Sequence, residues 1–154
     1  YENEEETAKT LVDGWLHTGD LAYADDKGYV YICGRKKNVI VLKNGKNVYP
    51  EEIEVMISNL DYVEECMVFG QPRKADDPLD LAVCLKVVYN PNVMKDTYGA
   101  TTLEEVEKVV RADVDKINDT MPTYKQITKI VVTDEEMVKT TTGKVKRFEE
   151  TKKL

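Results

Sequence analysis

A lysine in a short, hydroxyl-rich segment is the first candidate for chemistry in this sequence. Residues 140–144 are Thr-Thr-Thr-Gly-Lys, so Lys144 follows a glycine hinge and could reach into a neighbouring site. An ammonium group placed there would act as a point charge on phosphate oxygens. The segment is not a nucleotide-triphosphatase phosphate loop, because Val138 stands where that motif needs glycine and Val145 where it needs serine or threonine. An ordinary surface turn is the alternative.

Two basic segments stand out on an acidic chain. Residues 34–46 contain five cations and no acid, and residues 139–153 contain six cations and two acids, although the formal net charge is -7. Such segments would suit a small polyanionic ligand, whereas solvated lysines on hairpins and a terminal helix are the alternative. A general nucleic-acid binder is not expected, since such domains usually have a pI above about 9.

The composition excludes several other classes of protein. A length of 154 residues with 42% hydrophobic content predicts one domain. Cys33, Cys66 and Cys84 form no CxxC pair, and His17 is the only histidine, so neither a disulfide scaffold nor a zinc site is expected. A reducing cytoplasm is the expected setting, and no apolar run approaches the ~18 residues of a membrane helix. A serine–histidine site would depend on His17 and Ser58 alone.

The first half of the chain predicts a short helix, two hairpins and a longer helix. A helix over residues 5–12 would end at Gly14, and residues 20–34 form a hairpin that turns at 25–28. A second hairpin spans 38–49, where Asn-Gly accepts positive φ in the turn. Pro50 then opens a helix whose first turn is acidic. Its apolar residues repeat at helical spacing: Ile53, Met56, Ile57 and Leu60.

The second half predicts a sheet and a long helix. Strands over 63–69 and 79–89 are separated by a polar loop, and a third strand covers 127–132. Thr102 and Glu105 form a capping box, and the helix that follows carries an apolar stripe of Leu103, Val106, Val110, Val114 and Ile117. A basic helix begins near 145. This order predicts a small two-layer α+β domain with a mainly antiparallel three-stranded sheet packed by helices, plus N-terminal β-hairpins.

Three ordered motifs resemble one enzyme family. Gly14-Trp15-Leu16-His17-Thr18-Gly19-Asp20-Leu21 is similar to the Trp/Tyr-x-x-Thr-Gly-Asp motif of AMP-forming adenylating enzymes, which include acyl-CoA synthetases, peptide-synthetase adenylation domains and luciferases. Residues 34–54 and 139–147 resemble the next and the last family motifs. Two features differ: Val138 stands where the family usually has proline, and the turn at 42–45 is longer than in luciferases. That turn is more similar to the long-chain fatty-acyl subgroup.

The resemblance implies a role for four residues in the first half-reaction. Family members activate a carboxylate with ATP and Mg²⁺, release pyrophosphate and leave an acyl-adenylate. Asp20 matches the aspartate that accepts from the ribose hydroxyls, and Arg35 matches an arginine near the ribose and phosphates. Lys37 matches the hinge between a large and a small domain. Lys144 matches the catalytic lysine.

The resemblance also implies a second half-reaction, in which a thiol, usually that of CoA, displaces AMP. Rotation at Lys37 would remove Lys144 and bring in the turn that contains Gly45 and Lys46. Gly45 has no side chain, so its backbone could pass close to the pantetheine arm. By charge alone, Lys43, Lys46 or the segment 73–74 would meet the CoA phosphates. None of these residues is a metal ligand, and no cofactor is expected to bind tightly to this chain alone.

The same resemblance divides the chain in two. Residues 1–36 would be the trailing segment of the large N-terminal domain, and 37–154 the small mobile C-terminal lid. The first residue is Tyr1 and not Met, which predicts a piece of a longer chain that is inactive alone. Its partners would be the missing N-terminal domain, ATP, CoA and a small carboxylic acid, expected to be a fatty acid, with no nucleic acid. A lid that serves a carrier protein's phosphopantetheine arm and a non-catalytic binding module are the alternatives.

The segment that carries Lys144 has no apolar residue between Lys139 and Lys144. We therefore expect residues 140–144 to depend on the N-terminal domain for anchoring. They and the residues before Asp13 are predicted to be mobile, against a compact core over 39–132.

Overall fold

A computed structural model describes residues 2–154 of the chain, which begin with a helix and two small hairpins. Helix α1 spans Glu4–Thr10 and is followed by the paired strands β1 (Leu11–Val12) and β2 (Trp15–Leu16). The next hairpin consists of β3 (Asp20–Ala24) and β4 (Val30–Arg35), as predicted. The Asp25 carboxylate stabilises the turn of this hairpin, because it accepts hydrogen bonds from the amides of Lys27 and Tyr29 at 3.0 and 2.9 Å.

The second predicted hairpin and the helix after it are also present. Strands β5 (Ile40–Val41) and β6 (Asn47–Val48) flank the Asn-Gly turn, where Gly45 has φ 78° and donates to the Leu42 carbonyl at 2.8 Å. Helix α2 spans Pro50–Ile57 and begins at the proline. Its residues Ile53 and Ile57 are completely buried, so the predicted apolar face of the helix is confirmed.

The central sheet contains β7 (Val63–Lys74), β8 (Asp77–Tyr89) and β9 (Lys129–Thr133) in the order β7-β8-β9. The predicted polar loop between the first two strands is wrong, because both strands continue until only Ala75 and Asp76 form the turn. Pro72 is tolerated in the strand because β7 lies at the edge of the sheet and its register shifts between Pro72 and Lys74.

Two helices connect β8 to β9. Helix α3 (Pro91–Tyr98) is absent from the sequence-based prediction, although its signals are present. Asn90 caps it by accepting from the amides of Asn92 and Val93, and Gly99 ends it with φ 66°. Helix α4 (Leu103–Asp119) has the predicted capping box. Because these helices cross the sheet, β9 pairs with β8 in parallel, while β7 and β8 form the longer antiparallel pair.

The sheet is covered on both faces. Alternate residues of β8, including Val83, Leu85 and Val87, meet α2 and α4 in the main core. Within α4 the buried stripe consists of Val106, Val110 and Val114, whereas Leu103 is 56% exposed, so the stripe begins one turn later than predicted. The opposite face contributes a second cluster, which the C-terminal segment covers: Met67, Phe69, Ala82, Cys84, Val88 and Met137.

The C-terminal segment ends in α5 (Arg147–Thr151), which starts close to the predicted position. The N-terminal segment differs in character from the rest of the chain. No apolar side chain between residues 2 and 36 is buried, and Trp15 and Ile32 are 76% and 73% exposed. None of the helices within residues 2–154 combines the length and the apolar character needed to cross a membrane.

Candidate functional site

The β3–β4 register brings Asp20 and Arg35 together. Their Cα atoms are direct partners across the hairpin, and the Arg35 Nε lies 3.0 Å from the Asp20 Oδ1. Gly19, with φ 75°, precedes the pair and accepts from the Lys36 amide at 2.9 Å. Both side chains are accessible, with 29% of Asp20 and 55% of Arg35 exposed. The pair therefore presents a hydroxyl acceptor beside a planar cationic donor.

An open cleft of about 820 Å³ lies beside this pair. It is bounded by α1, by the segment after β2 and by the residues that follow β4. Three consecutive cations line it, together with the glycine and hydroxyl side chain of the first motif: Arg35, Lys36, Lys37, Gly19 and Thr18. Its cations outnumber its one acid, Glu6, so the cleft suits an anionic ligand.

Lys37 lies in a single 3-10 turn, Lys36–Asn38, between two extended residues. Helix α2 contacts both sides of this turn. The Asn38 Nδ2 donates to the Glu51 Oε1 at 2.6 Å, and a Cβ added at the buried Gly34 would lie 2.6 Å from the Glu51 Oε2. The sequence places Glu51 in the second motif and in the acidic first turn of α2, but no local signal predicts its contact with Gly34.

Lys144 lies at an exposed tip of a short hairpin, residues 138–146, which we call the Lys144 hairpin. Lys139 and Val145 pair as an antiparallel bridge, and the Thr140 amide donates to the Lys144 carbonyl at 2.8 Å. Gly143, with φ 78°, donates to the Thr140 carbonyl at 2.9 Å, and the Thr140 Oγ1 accepts from the Lys144 amide at 3.1 Å. The sequence predicts an irregular loop here, whereas the threonine hydroxyls and the glycine instead build a hydrogen-bonded turn.

Residues of α2 and β7 anchor this hairpin at its base, while the dependence of residues 140–144 on the N-terminal domain stays a prediction. Arg147, which follows the hairpin, donates to both carboxylate oxygens of Glu54 at 2.7 and 2.6 Å and to the Val68 carbonyl at 2.9 Å. Sequence reasoning missed Glu54 because it lies 93 residues from Arg147. The predicted mobility of the tip stays a prediction.

Leu42, Lys43 and Asn44, which precede Gly45 and Lys46 in the turn, line a second cleft of about 400 Å³. Lys43 and Arg73 both line this cleft, so the structure brings together two of the proposed phosphate-binding cations. Each has an acidic neighbour: Lys43 pairs with Asp77 at 2.5 Å and Arg73 with Asp80 at 3.5 Å. The hydrogen bond to Asp77 raises the pKa of Lys43, so this lysine stays charged. The Lys46 ammonium lies 4.4 Å from the centre of the Tyr124 ring.

The predicted site residues therefore occupy three places. Arg35 and Lys37 line the first cleft, and Asp20 is paired with Arg35. Gly45 and Lys46 follow the turn residues that line the second cleft, and Lys144 lines neither cleft. Within residues 2–154, no three His, Cys, Asp or Glu side chains cluster in a way that could hold a metal ion. Each place can bind or stabilise an anion, but the three do not form one closed site in this arrangement.

Comparison with known proteins places this geometry in context. Residues 37–154 match the domain family described as the AMP-binding enzyme C-terminal domain. The chain is 37% identical over 86 residues to a 2-succinylbenzoate–CoA ligase of Bacillus cytotoxicus, covering 56% of this chain and 18% of that protein. It is 50% identical over 68 residues to a fatty acid–[acyl-carrier-protein] ligase of Streptomyces coeruleorubidus (44% and 13% covered). A long-chain-fatty-acid–CoA ligase of Bacillus subtilis is 46% identical over 68 residues (44% and 12% covered).

Solved structures agree with the family match. An anthranilate CoA ligase in complex with anthranoyl-AMP aligns with 99% of this chain at a TM-score of 0.76 and 25% identity, over 27% of its own length. An ATP-bound chimera aligns with 99% of this chain at a TM-score of 0.74 and 27% identity, over 28% of its length. This chain thus spans between 12% and 28% of the length of these five proteins. It belongs to the AMP-binding enzyme C-terminal domain family, the small domain of adenylate-forming enzymes.

Proposed function

We propose that this chain is the C-terminal lid, with a short preceding segment, of an AMP-forming ligase that joins a carboxylic acid to CoA. The observation that carries the proposal is the placement of Lys144, the lysine of the last motif, at the exposed tip of a hairpin that the lid itself builds. The Asp20–Arg35 pair of the first motifs adds a binding place for a nucleotide. Lys144 would serve catalysis, whereas Asp20 and Arg35 would bind ATP and then AMP.

In the first half-reaction, the acid's carboxylate attacks the α-phosphorus of ATP and pyrophosphate leaves. Asp20 would accept hydrogen bonds from the ribose hydroxyls, and Arg35 would donate to the ribose and phosphates. The ammonium of Lys144 would stabilise the negative charge shared by the carboxylate and the α-phosphate as they approach. Mg²⁺ would accompany the phosphates of the nucleotide, and we assign no described residue to it.

In the second half-reaction, the lid would rotate at Lys37, so that Lys144 leaves and the turn with Gly45 and Lys46 enters. The thiol of CoA would then attack the acyl carbon and AMP would leave. The cations that border the second cleft, Lys43 and Arg73, give this face a charge suited to CoA phosphates.

The division at the hinge is part of the proposal. Residues 1–36 would belong to the large domain and residues 37–154 to the mobile lid. The exposed apolar side chains of the first segment, such as Trp15 and Ile32, support this division because they add nothing to the lid core. They would need another surface to cover them.

A fatty acid is the proposed substrate, because two of the relatives carry fatty-acid names and the turn at 42–45 has the longer form. A relative that acts on 2-succinylbenzoate shows that this domain also occurs with other acids. A carrier-protein acceptor is the second candidate, favoured by the relative that loads an acyl carrier protein. We choose CoA because the second cleft offers cations to a polyphosphate. A cytoplasmic setting is part of the same proposal.

The test compares two lysines of the C-terminal segment in the full-length enzyme. Lys144→Ala should lower acyl-adenylate formation by about 10²–10³, because one preorganised charge contact is lost. Thioester formation from supplied acyl-adenylate should not change. Lys152→Ala is the control, since Lys152 is exposed and packs over the Phe148 ring at 4.1 Å. Equal losses in both half-reactions, or equal losses in both variants, would contradict the proposal.

A further inference from the structure

The Lys144 hairpin is held by charge as well as by packing. We call residues 137–139 and 145–147 its base. Met137 is 3% exposed and joins the second cluster, and Val145 packs partly against it. The base is also anchored by three glutamates on three elements of the lid, Glu54, Glu65 and Glu150. Their contacts were not predictable from the motifs.

Glu150, in α5, is the most deeply buried of the three, with a side chain that is 0% exposed. One carboxylate oxygen accepts from the Val138 amide at 2.9 Å, and the other accepts from the Lys86 ammonium at 2.6 Å. Lys86 belongs to β8, so this single carboxylate ties the first strand of the hairpin to the middle of the sheet.

Glu65, in β7, also contacts the first strand of the hairpin. Its Oε2 accepts from the Met137 amide at 3.0 Å, and its Oε1 pairs with the ammonium of Lys139. Only 14% of the Glu65 side chain is exposed. Water therefore competes weakly for these contacts, which makes their loss costly.

Glu54, in α2, holds the second strand through Arg147. Both of its carboxylate oxygens accept from the Arg147 Nη2, and its Oε1 also accepts from the Val68 amide at 2.6 Å. Arg147 in turn donates to the Val68 carbonyl. Both backbone polar groups of this edge-strand residue are thereby satisfied, so the hairpin also closes part of an open sheet edge.

We propose that Glu54, Glu65 and Glu150 are positioning residues for Lys144, and that together they fix the hairpin to the lid so that the lysine moves with the lid as one body. This inference rests on the proposed function for its catalytic meaning. Neither strand of the base can shift unless a buried or half-buried carboxylate loses its partner. A displacement of about 1 Å at a catalytic group can cost about 10²-fold in rate. Adenylation should therefore depend on these carboxylates, although none of them touches substrate.

The first test measures the hairpin itself, by amide hydrogen exchange on this chain. The reporter is the Lys146 amide, which donates to the Val138 carbonyl at 2.8 Å across the base. Glu65→Ala should speed its exchange about tenfold or more, because a charge-assisted anchor is lost, and Glu65→Gln should have a smaller effect. Exchange in β8 should not change. Glu136→Gln is the matched control, since Glu136 also pairs with Lys139, at 3.4 Å, but its side chain is 79% exposed.

The second test measures both half-reactions in the full-length enzyme. Glu65→Ala and Glu54→Gln should lower adenylation and leave thioester formation from supplied acyl-adenylate unchanged, whereas a general loss of stability would lower both. Hydrogen exchange at the Lys146 amide is measured in these two variants as well. If its rate is unchanged in both Glu65→Ala and Glu54→Gln, the inference is overturned. Unchanged adenylation in both variants would also overturn it when Lys144→Ala lowers adenylation. If Lys144→Ala has no effect on adenylation, the proposed function fails, and the exchange result still decides whether the three glutamates fix the hairpin.

Discussion

Replacing Glu150 by glutamine should lower the free energy of unfolding of this chain by about 3–5 kcal/mol, the usual cost of breaking a buried ion pair. The variant keeps the size of the side chain and one acceptor oxygen, but leaves the ammonium of Lys86 in a position where only 10% of its side chain is exposed. Lys153 contributes little to this cost, because it is 53% exposed at its own bond to Glu150.

The pKa of Glu150 gives an independent magnitude. Burial raises this pKa, but hydrogen bonds from Lys153, Lys86 and the Val138 amide outweigh it and lower the pKa from 4.5 to about 2. A lowering of that size corresponds to on the order of 3 kcal/mol for all of these contacts together, the bond from Lys153 included. Because the folded-state pKa is the lower one, this stability is present above pH 4.5 and is lost as the pH falls toward 2.

The assay is urea unfolding of the chain followed by far-UV circular dichroism, at neutral pH and at several values down to the acid limit. The midpoint should fall while the slope stays constant, and the variant should lose less stability than the parent between pH 4.5 and 2. Glu149→Gln is the matched control, since its neighbouring carboxylate is 49% exposed and pairs with Lys146. A loss below about 1 kcal/mol for Glu150→Gln, as in the control, would refute the reasoning.

Three further outcomes are expected. Lys37→Pro in the full-length enzyme should leave one half-reaction active and stop the other, because proline fixes φ near −65°. Normal overall turnover would show that Lys37 is not the pivot. This chain alone should release no pyrophosphate with ATP, Mg²⁺ and fatty acids, and robust release would disprove its status as a fragment. At pH 8, Cys33 should react with a thiol reagent first, because burial raises the pKa of Cys66 to about 12 and also raises the pKa of Cys84. Equal rates for all three thiols would contradict the burial of the second and third.

Elements with a local signal were predicted well. The Asn-Gly turn fixes one hairpin and the Thr102–Glu105 capping box fixes the start of α4. The same local reasoning ended β7 at Phe69, because Gly70 and Pro72 are usually breakers. A local pattern does not reveal that β7 is an edge strand, where the missing amide hydrogen of proline costs no hydrogen bond of the sheet. The parallel pairing of β9 with β8 depends on the crossover helices, of which one was not predicted.

The same difference between local and distant contacts applies to the candidate site. Asp20 and Arg35 were each found from a motif, and the register of one local hairpin then makes them neighbours. The anchors of Lys144 were not found, because each joins residues far apart in the chain, such as Glu65 with Met137 and Lys86 with Glu150. In the sequence these glutamates are indistinguishable from the many acids of a solvated surface. Only their burial separates them.

The single tryptophan has an optical consequence. Trp15 lies in β2, 76% exposed, in the segment whose apolar side chains stay outside the core. Its emission in this chain should already be that of a water-exposed indole, so unfolding of the core in urea should change it little while circular dichroism changes fully. In the full-length enzyme, a partner surface over residues 2–36 would shift that emission to shorter wavelengths. Trp15 is therefore a built-in fluorescent reporter of how this segment docks, separate from the stability of the lid.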